Sequence, residues 1–414
     1  MSEEKVLYRN SSGKGVTHSS YSSRQTFRHC PREFYLTRTE GWSDKEKRAA
    51  PLFGKAVEAG VQAYEESARQ PGKGVEVFTR LWEAVKTTAD YDKLIYTASE
   101  GDWDGLLRAG TDMMKLYAIR APELPMQSPR FQQQVRKLIF PGTHLGNLEN
   151  LAYFDVISYP PWDHPMLSQI PPPSRQDAPG GVDEPKTGLS TTEPVRPLII
   201  DIKTSGMGLD PKFVALDPQL AEYAWMAGIP DVAFLWFVKH SHGFKKGTKV
   251  TLLKDWDDAH AGDQLYVLLE PKADDEFNPN TVYLGDVDAL RLFDEGVKGL
   301  RGKLLEAKKD EFRQAKFVFR VKPEMFTKQE MIFAAARITE EQMTEIGRDL
   351  AQTTVEMVRA HEEGYYPKLA GIRFPNQKCN FCSMRYICLG DSEGRDKNLT
   401  RRGEEWLDGA DGEW

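Results

Sequence analysis

The chain of 414 residues holds four cysteines, and their placement limits what it can fold into. Cys30 stands alone near the start. The other three fall in Cys379-Asn380-Phe381-Cys382-Ser383-Met384-Arg385-Tyr386-Ile387-Cys388. A Cys-x-x-Cys pair followed closely by a third cysteine has the spacing of thiolate metal ligation. It lacks one ligand, and Cys30 is the remaining candidate. Four thiolates around one centre suit a [4Fe-4S] cluster or a structural zinc. Such a site predicts a fold whose two ends meet. Cysteines this sparse exclude a disulfide scaffold. With the polar start Met1-Ser2-Glu3-Glu4-Lys5 and no apolar run long enough to span a bilayer, they predict a cytoplasmic protein with no membrane partner.

Residues 1–20 are polar and rich in Ser and Gly, and read as a loose N-terminus. Ser22 or Ser23 reads as the N-cap of a helix running to Cys30. Helical spacing of Phe53, Ala56, Val57, Val61 and Tyr64 predicts a second helix over about 51–68, with more helix over 75–120. Strand character appears at 131–140 and 151–158. Ten prolines between Pro160 and Pro197 exclude a packed helix or central strand, so 159–197 reads as an insert. Residues 198–204 read as a buried strand. Asp217-Pro218-Gln219 opens a helix that Gly228 closes, and 232–239 forms another strand. Lys245, Lys246 and Lys249 read as a solvated turn. Helices are expected over 285–308 and 327–362. The resulting divisions are the N-terminus 1–20, a helical region 21–130, a core 131–260 with its insert, a C-terminal helical region 261–390 and an acidic tail 391–414. The formal charge is -7, but five of the acids fall in 403–414, which leaves the rest nearly neutral and compatible with a basic groove.

The chemistry concentrates at Asp155, Asp201 and Lys203. Side chains alternate along a strand, so Asp201 and Lys203 share one face of Ile199-Ile200-Asp201-Ile202-Lys203-Thr204 while Ile200 and Ile202 share the other. Burying an acid and a lysine there is costly unless they serve a site. Asp155, between Phe154 and Val156, has a similar setting. Two carboxylates on neighbouring strands suit Mg²⁺ or Mn²⁺, and a nearby lysine suits orienting or deprotonating a water and offsetting developing charge. That is the chemistry of phosphodiester hydrolysis.

In chain order, further pieces accompany these residues. Tyr21-Ser22-Ser23 leads to Cys30-Pro31-Arg32-Glu33-Phe34-Tyr35, and Leu52-Phe53-Gly54-Lys55-Ala56-Val57-Glu58 precedes Phe154-Asp155-Val156. Asp201-Ile202-Lys203-Thr204, Gln219-Leu220-Ala221-Glu222-Tyr223 and the three C-terminal cysteines follow. The ordered set over 21–388 resembles the RecB-like branch of the PD-(D/E)xK nuclease superfamily, in the AddB-like subset that carries an iron-sulfur cluster. The resemblance implies an α/β fold with a restriction-endonuclease-like core, a mixed central sheet flanked by helices, whose helical N- and C-terminal segments are clipped together by a metal cluster. It implies that Asp155, Asp201, the Ile202 carbonyl and Glu58 ligate Mg²⁺ or Mn²⁺. Lys203 would be the catalytic lysine, Gln219 and Tyr223 would face the site, and Cys30, Cys379, Cys382 and Cys388 would hold a [4Fe-4S] cluster, with zinc as the other occupant. The chain departs from the family in having Glu58 where many members have His, and in the insert, which holds Asp163 and Asp177 as rivals to Asp155.

The expected activity is metal-dependent DNA exonuclease action on single strands or ends, in recombination, repair or phage DNA metabolism, with a helicase or recombination partner. The rival expectations are a catalytically idle binding or scaffold module and a zinc-stabilised DNA-binding protein. Arg24, Arg28, Arg32, Lys378 and Arg385 flank the cysteines and are expected to track a phosphate backbone. The acidic tail is expected to be solvated.

Overall fold

The computed structural model describes residues 5–88, 90–97, 101–161, 163–170, 196–240, 251–253, 264–268, 282–286, 317–321, 327, 329–369 and 378–401. A six-stranded mixed sheet carries the fold. Its strands are β1 (His18–Ser19), β2 (Arg130–Leu138), β3 (Glu149–Ser158), β4 (Leu198–Ser205), β5 (Asp231–Val238) and β6 (Glu330–Arg337). β2 and β3 form a long antiparallel pair. β4 is antiparallel to β3, β5 is parallel to β4, and β6 is antiparallel to β5. The parallel step needs a crossover, which helix α5 (Pro218–Ala227) supplies. Asp217 caps α5 through the Gln219 and Leu220 amides, and Gly228 ends it at φ 67, as its sequence predicts.

Alternation along β4 divides the molecule into two cores. Ile200 and Ile202 pack with Leu235 and Phe237 against α2 (Ala49–Glu66), α3 (Lys73–Ala84) and α4 (Trp103–Arg120), through Phe53, Val57, Phe78, Trp82 and Met113. Ile199 packs with Val232 and Phe234 on the other face against Leu220, Ala224 and Met343 of α5 and of α6 (Glu340–Glu363). The three-helix layer is tight. A Cβ on Gly110 would lie 1.9 Å from Phe78 Cζ, so Gly110→Ala should cost about 1–3 kcal/mol through overpacking despite its better helix propensity. Thermal melts check this, and Phe78→Leu in the same chain should recover part of the loss.

Several expectations change. Residues 5–20 are not loose: Leu7, Tyr8 and Val16 are buried with Phe27, Phe34 and Met357, and β1 joins the sheet beside β3. The first helix, α1 (Tyr21–His29), is capped by Ser20, with Ser23 completing a reciprocal capping box, rather than by Ser22 or Ser23. Residues 330–337 form the strand β6 instead of helix. Ala334, Ala335 and Ala336 favour helix locally, but full-length pairing with β5 and a bidentate Arg337–Asp231 ion pair (2.9 and 3.0 Å) override that preference. The region expected to be helical from 261 also contains strands at Gln264–Leu268, Val282–Asp286 and Phe317–Val321, which pair with Thr251–Leu253 in a four-stranded sheet. Residues 287–308, Lys245, Lys246, Lys249, Asp177 and most of the acidic tail lie outside the described residues.

The insert is pinned where it leaves and rejoins the core. The Arg196 amide donates to Pro160 O at 2.9 Å, and its buried guanidinium meets Asp231 at 2.5 Å. Described segments near the two ends of the chain meet through protein contacts. Trp42–Asp44 pairs antiparallel with Leu399–Arg401, Lys378 lies 2.7 Å from Glu33, and Ser383 donates to Asp44 at 2.7 Å.

Candidate active site

The site lies where β3 and β4 part. Their pairing runs through Ser158↔Leu198, Ile157↔Ile199 and Val156↔Ile200 and then stops. The next pair in that register would be Asp155 and Asp201. Instead of a ladder bond, the Ile202 amide donates to Asp155 Oδ2 at 2.7 Å. A carboxylate thus satisfies the backbone donor freed by the fork.

Asp201 is buried, at 1% exposure. Lys203 Nζ lies 2.7 Å from its Oδ2 as an ion pair, yet neither Asp201 oxygen has a well-aligned hydrogen-bond donor. Glu58 arrives from α2. A Cβ on Gly54 would lie 3.2 Å from Thr204 Oγ1, so the glycine lets α2 approach β4 closely, one helical turn before Glu58. Glu58 accepts a hydrogen bond from Gln132 Nε2 and lies close enough to Asp155 for the two acids to influence each other. Glu58, Asp155, Asp201 and Lys203 therefore come together from segments far apart in sequence. Ile202 contributes its amide, and its side chain lies in the core. Asp163 is exposed and outside any strand.

Three acids in one site repel each other. Burial, then the Glu58 charge, pushes Asp155 from 3.8 to about 7. Burial also pushes Asp201 to about 7, with Asp155 adding and Lys203 opposing. Burial raises Glu58, and the Asp201 charge raises it further. For Lys203, burial acts to lower its pKa, but Asp201 and Asp155 outweigh burial and the net direction is upward, so the ammonium form is held. The linkage has a definite sign. Unfolded carboxylates release protons near pH 4, whereas folded Asp155 and Asp201 hold theirs to about 7. Between those values the unfolded state binds fewer protons, so these groups make the metal-free protein less stable as pH rises from about 4 to about 7. Thermal melts in EDTA should show that slope, and Asp201→Asn should flatten it. An unchanged slope in Asp201→Asn would contradict the assignment.

Gln219 and Tyr223 lie one turn apart on α5, as their spacing predicts. Gln219 Nε2 donates to Tyr223 Oη at 2.6 Å. Burial first, and then the Asp201 and Asp155 charges, drive the Tyr223 hydroxyl far above its ordinary range, so it keeps its proton. The pair bonds internally, and its closeness to the acids shows in that electrostatic coupling.

Gln132 escapes sequence reading. It is an exposed residue at φ 50 within β2, and its side chain reaches Glu58. Nothing in Arg130-Phe131-Gln132-Gln133-Gln134 marks that backbone turn.

The cysteines lie at the other end of α1. Cys30 is buried and the other three are partly buried. Burial pushes Cys382 up to about 11, with Glu33, Cys30 and Cys388 adding to it, and Cys388 is raised by burial and by Cys30 and Cys379. Cys382 and Cys388 therefore sense their neighbours among the cysteines, but among the described residues no three Cys, His, Asp or Glu side chains form a ready ligand group. The expected basic track changes as well. Arg24 is buried at 2% exposure and bonds to Ser19, Asn150 and Glu222, so it has no access to a phosphate. Arg28 holds Thr353 and Asp349, Lys378 holds Glu33, and Arg32 and Arg385 lie over Tyr35 and Tyr386.

A family model for the PD-(D/E)XK nuclease superfamily matches residues 18–133. Over that stretch the chain is similar to the PD-(D/E)XK nuclease superfamily. The matched stretch runs from β1 through the three-helix layer into β2, and so contains Glu58 and Gln132, while Asp155, Asp201 and Lys203 follow beyond it. The mixed sheet flanked by helices agrees with the restriction-endonuclease-like core expected of that superfamily. No curated protein matches the chain. Among the described residues no helix is long and apolar enough to cross a membrane.

Members of the PD-(D/E)XK superfamily use Mg²⁺ or Mn²⁺. Among the described residues the three acids do not stand as a ready ligand group either, so their fit to such an ion is one of donor chemistry. Both oxygens of a fully buried carboxylate lack an aligned donor, and a second and third carboxylate crowd it. Each acid also has a partner within the chain: Glu58 accepts from Gln132, Asp155 accepts from the Ile202 amide, and Asp201 pairs with Lys203.

Proposed function

We propose that the protein is a metal-dependent DNA nuclease acting on single strands or DNA ends. The observation that carries this reading is the strand fork, where Glu58, Asp155 and Asp201 meet with Lys203 beside them. Asp155, Asp201, Glu58 and the Ile202 carbonyl hold the metal. When bound, Mg²⁺ or Mn²⁺ supplies Lewis-acid polarisation of the scissile phosphate and lowers the pKa of water. Lys203 stays an ammonium while Asp201 and Asp155 face it, so it acts by donating to a phosphate oxygen and offsetting developing charge rather than by taking a proton from water. Tyr223, fixed by Gln219, keeps its hydroxyl proton available to a phosphate oxygen.

Cys30, Cys379, Cys382 and Cys388 hold a structural metal centre, an iron-sulfur cluster or zinc, that reinforces the contacts joining the chain ends. Metal analysis and visible absorbance of anaerobically purified protein separate the two, and a Cys382→Ser variant with unchanged metal content and melting temperature would remove the centre from the reading.

Linear and circular single-stranded DNA, end-labelled where ends exist, test the mode of cutting. An exonuclease degrades the linear form in Mn²⁺ and spares the circle. Equal cutting of both would leave a nuclease but refute exonuclease action.

A further inference from the structure

We infer that Gln132 is a positioning residue that fixes the Glu58 carboxylate at the cost of a strained backbone. The inference rests on the nuclease reading of the site.

Three observations meet at this residue. The first is the strand phase. Phe131 and Val156, which are Cα partners, belong to the core under the three-helix layer. Val135 and Ala152, also partners, belong to the core under α5 and α6, as does Phe154. Strict alternation would place Phe131 and Val135 on one face, and Phe154 and Val156 on one face. Both strands therefore reverse phase between these positions.

The second observation is the register. Pairing passes from Phe131↔Val156 to Gln133↔Phe154 with equal counts on both strands, so no extra residue is inserted. The step left unpaired is Gln132 opposite Asp155. The reversal thus falls on Gln132 and Asp155, beside the cluster of acids.

The third observation is conformation and contact. Gln132 adopts φ 50, which side chains with a Cβ enter at a cost, and its amide donates to Glu58. Glycine is the residue suited to such a position. Gln132 is exposed, so no core packing explains a glutamine there. Its side-chain bond to an acid of the site does explain it. An amide donor on one oxygen of Glu58 orients the carboxylate and leaves its other oxygen for the metal, in the manner of outer partners that fix metal ligands.

A role in the fold alone and a role in positioning predict opposite signs for Gln132→Gly. Glycine relieves the backbone, so the metal-free protein in EDTA should melt at the same temperature or about 1–2 °C higher. Its Mn²⁺ affinity, followed by calorimetry and by the Mn²⁺-induced shift in melting temperature, should fall roughly 10–100-fold. Adding Glu58→Gln to Gln132→Gly should lower affinity little beyond Glu58→Gln alone, because both changes remove one interaction. Wild-type Mn²⁺ affinity in a folded Gln132→Gly protein would overturn the inference, as would a metal-free melting temperature several degrees below wild type. If the wild-type protein bound no Mn²⁺ at all, the nuclease reading would fail and the inference with it.

Discussion

Lys203→Ala should lower single-turnover cleavage of DNA roughly 10²–10³-fold, the usual cost of removing one preorganised charge from a reacting phosphate. The fold should survive, because the Lys203 side chain is 35% exposed and packs in neither core. The same variant should show a second change. Lys203 is the group that opposes the upward push of burial on Asp201. Without it Asp201 holds its proton to higher pH, and the pH at which Mn²⁺ binding is half complete should move up. An inert but folded Lys203→Ala protein whose Mn²⁺–pH profile matches wild type would support a catalytic lysine without the coupling. Full turnover in Lys203→Ala would refute the assignment of the lysine.

The largest loss of stability should come from Arg24→Leu, at about 3–5 kcal/mol. Arg24 and Glu222 form an ion pair with side chains only 3% and 2% exposed. Arg24 also donates to Ser19 O (2.9 Å), Ser19 Oγ (2.6 Å) and Asn150 Oδ1 (2.5 Å), while Asn150 Nδ2 donates to Glu222 at 3.0 Å. The network ties α1, β1, the start of β3 and α5 together. Removing the arginine strands a buried carboxylate with one remaining donor, and that uncompensated charge sets the cost. Arg24→Leu combined with Glu222→Leu should therefore be less damaging than Arg24→Leu alone. Urea unfolding of both variants measures this. Equal or greater loss in the double variant would mean that the two residues contribute separately.

The shared face of Asp201 and Lys203 and the helix carrying Gln219 and Tyr223 were legible because their local geometry is rigid, whereas periodicity does not single out Glu58 on α2. A two-residue period puts Asp201 and Lys203 on one face, and Asp217-Pro218 with Gly228 brackets the helix carrying Gln219 and Tyr223. Features that depend on what a segment meets across space were not legible. Ala334–Ala336 has helical propensity and becomes strand only because β5 offers an unpaired edge. Arg24 reads as a surface cation until Glu222, nearly two hundred residues away, folds over it. Gln132 carries no sign of its left-handed backbone, since the phase reversal exists only in the pairing of β2 with β3. The cysteine spacing predicts that segments near the two ends meet; the described contacts between them include a strand pair and an ion pair whose residues carry no mutual sequence signal.

The most direct test is cleavage of end-labelled single- and double-stranded DNA by the purified full-length protein at pH 8, with Mn²⁺, with Mg²⁺ and with EDTA. Cleavage should appear with a divalent metal, vanish in EDTA and vanish in Asp201→Asn. A folded, Mn²⁺-saturated protein that leaves both substrates intact, or one that cuts equally well in EDTA, would contradict a metal-dependent nuclease at the β3–β4 fork.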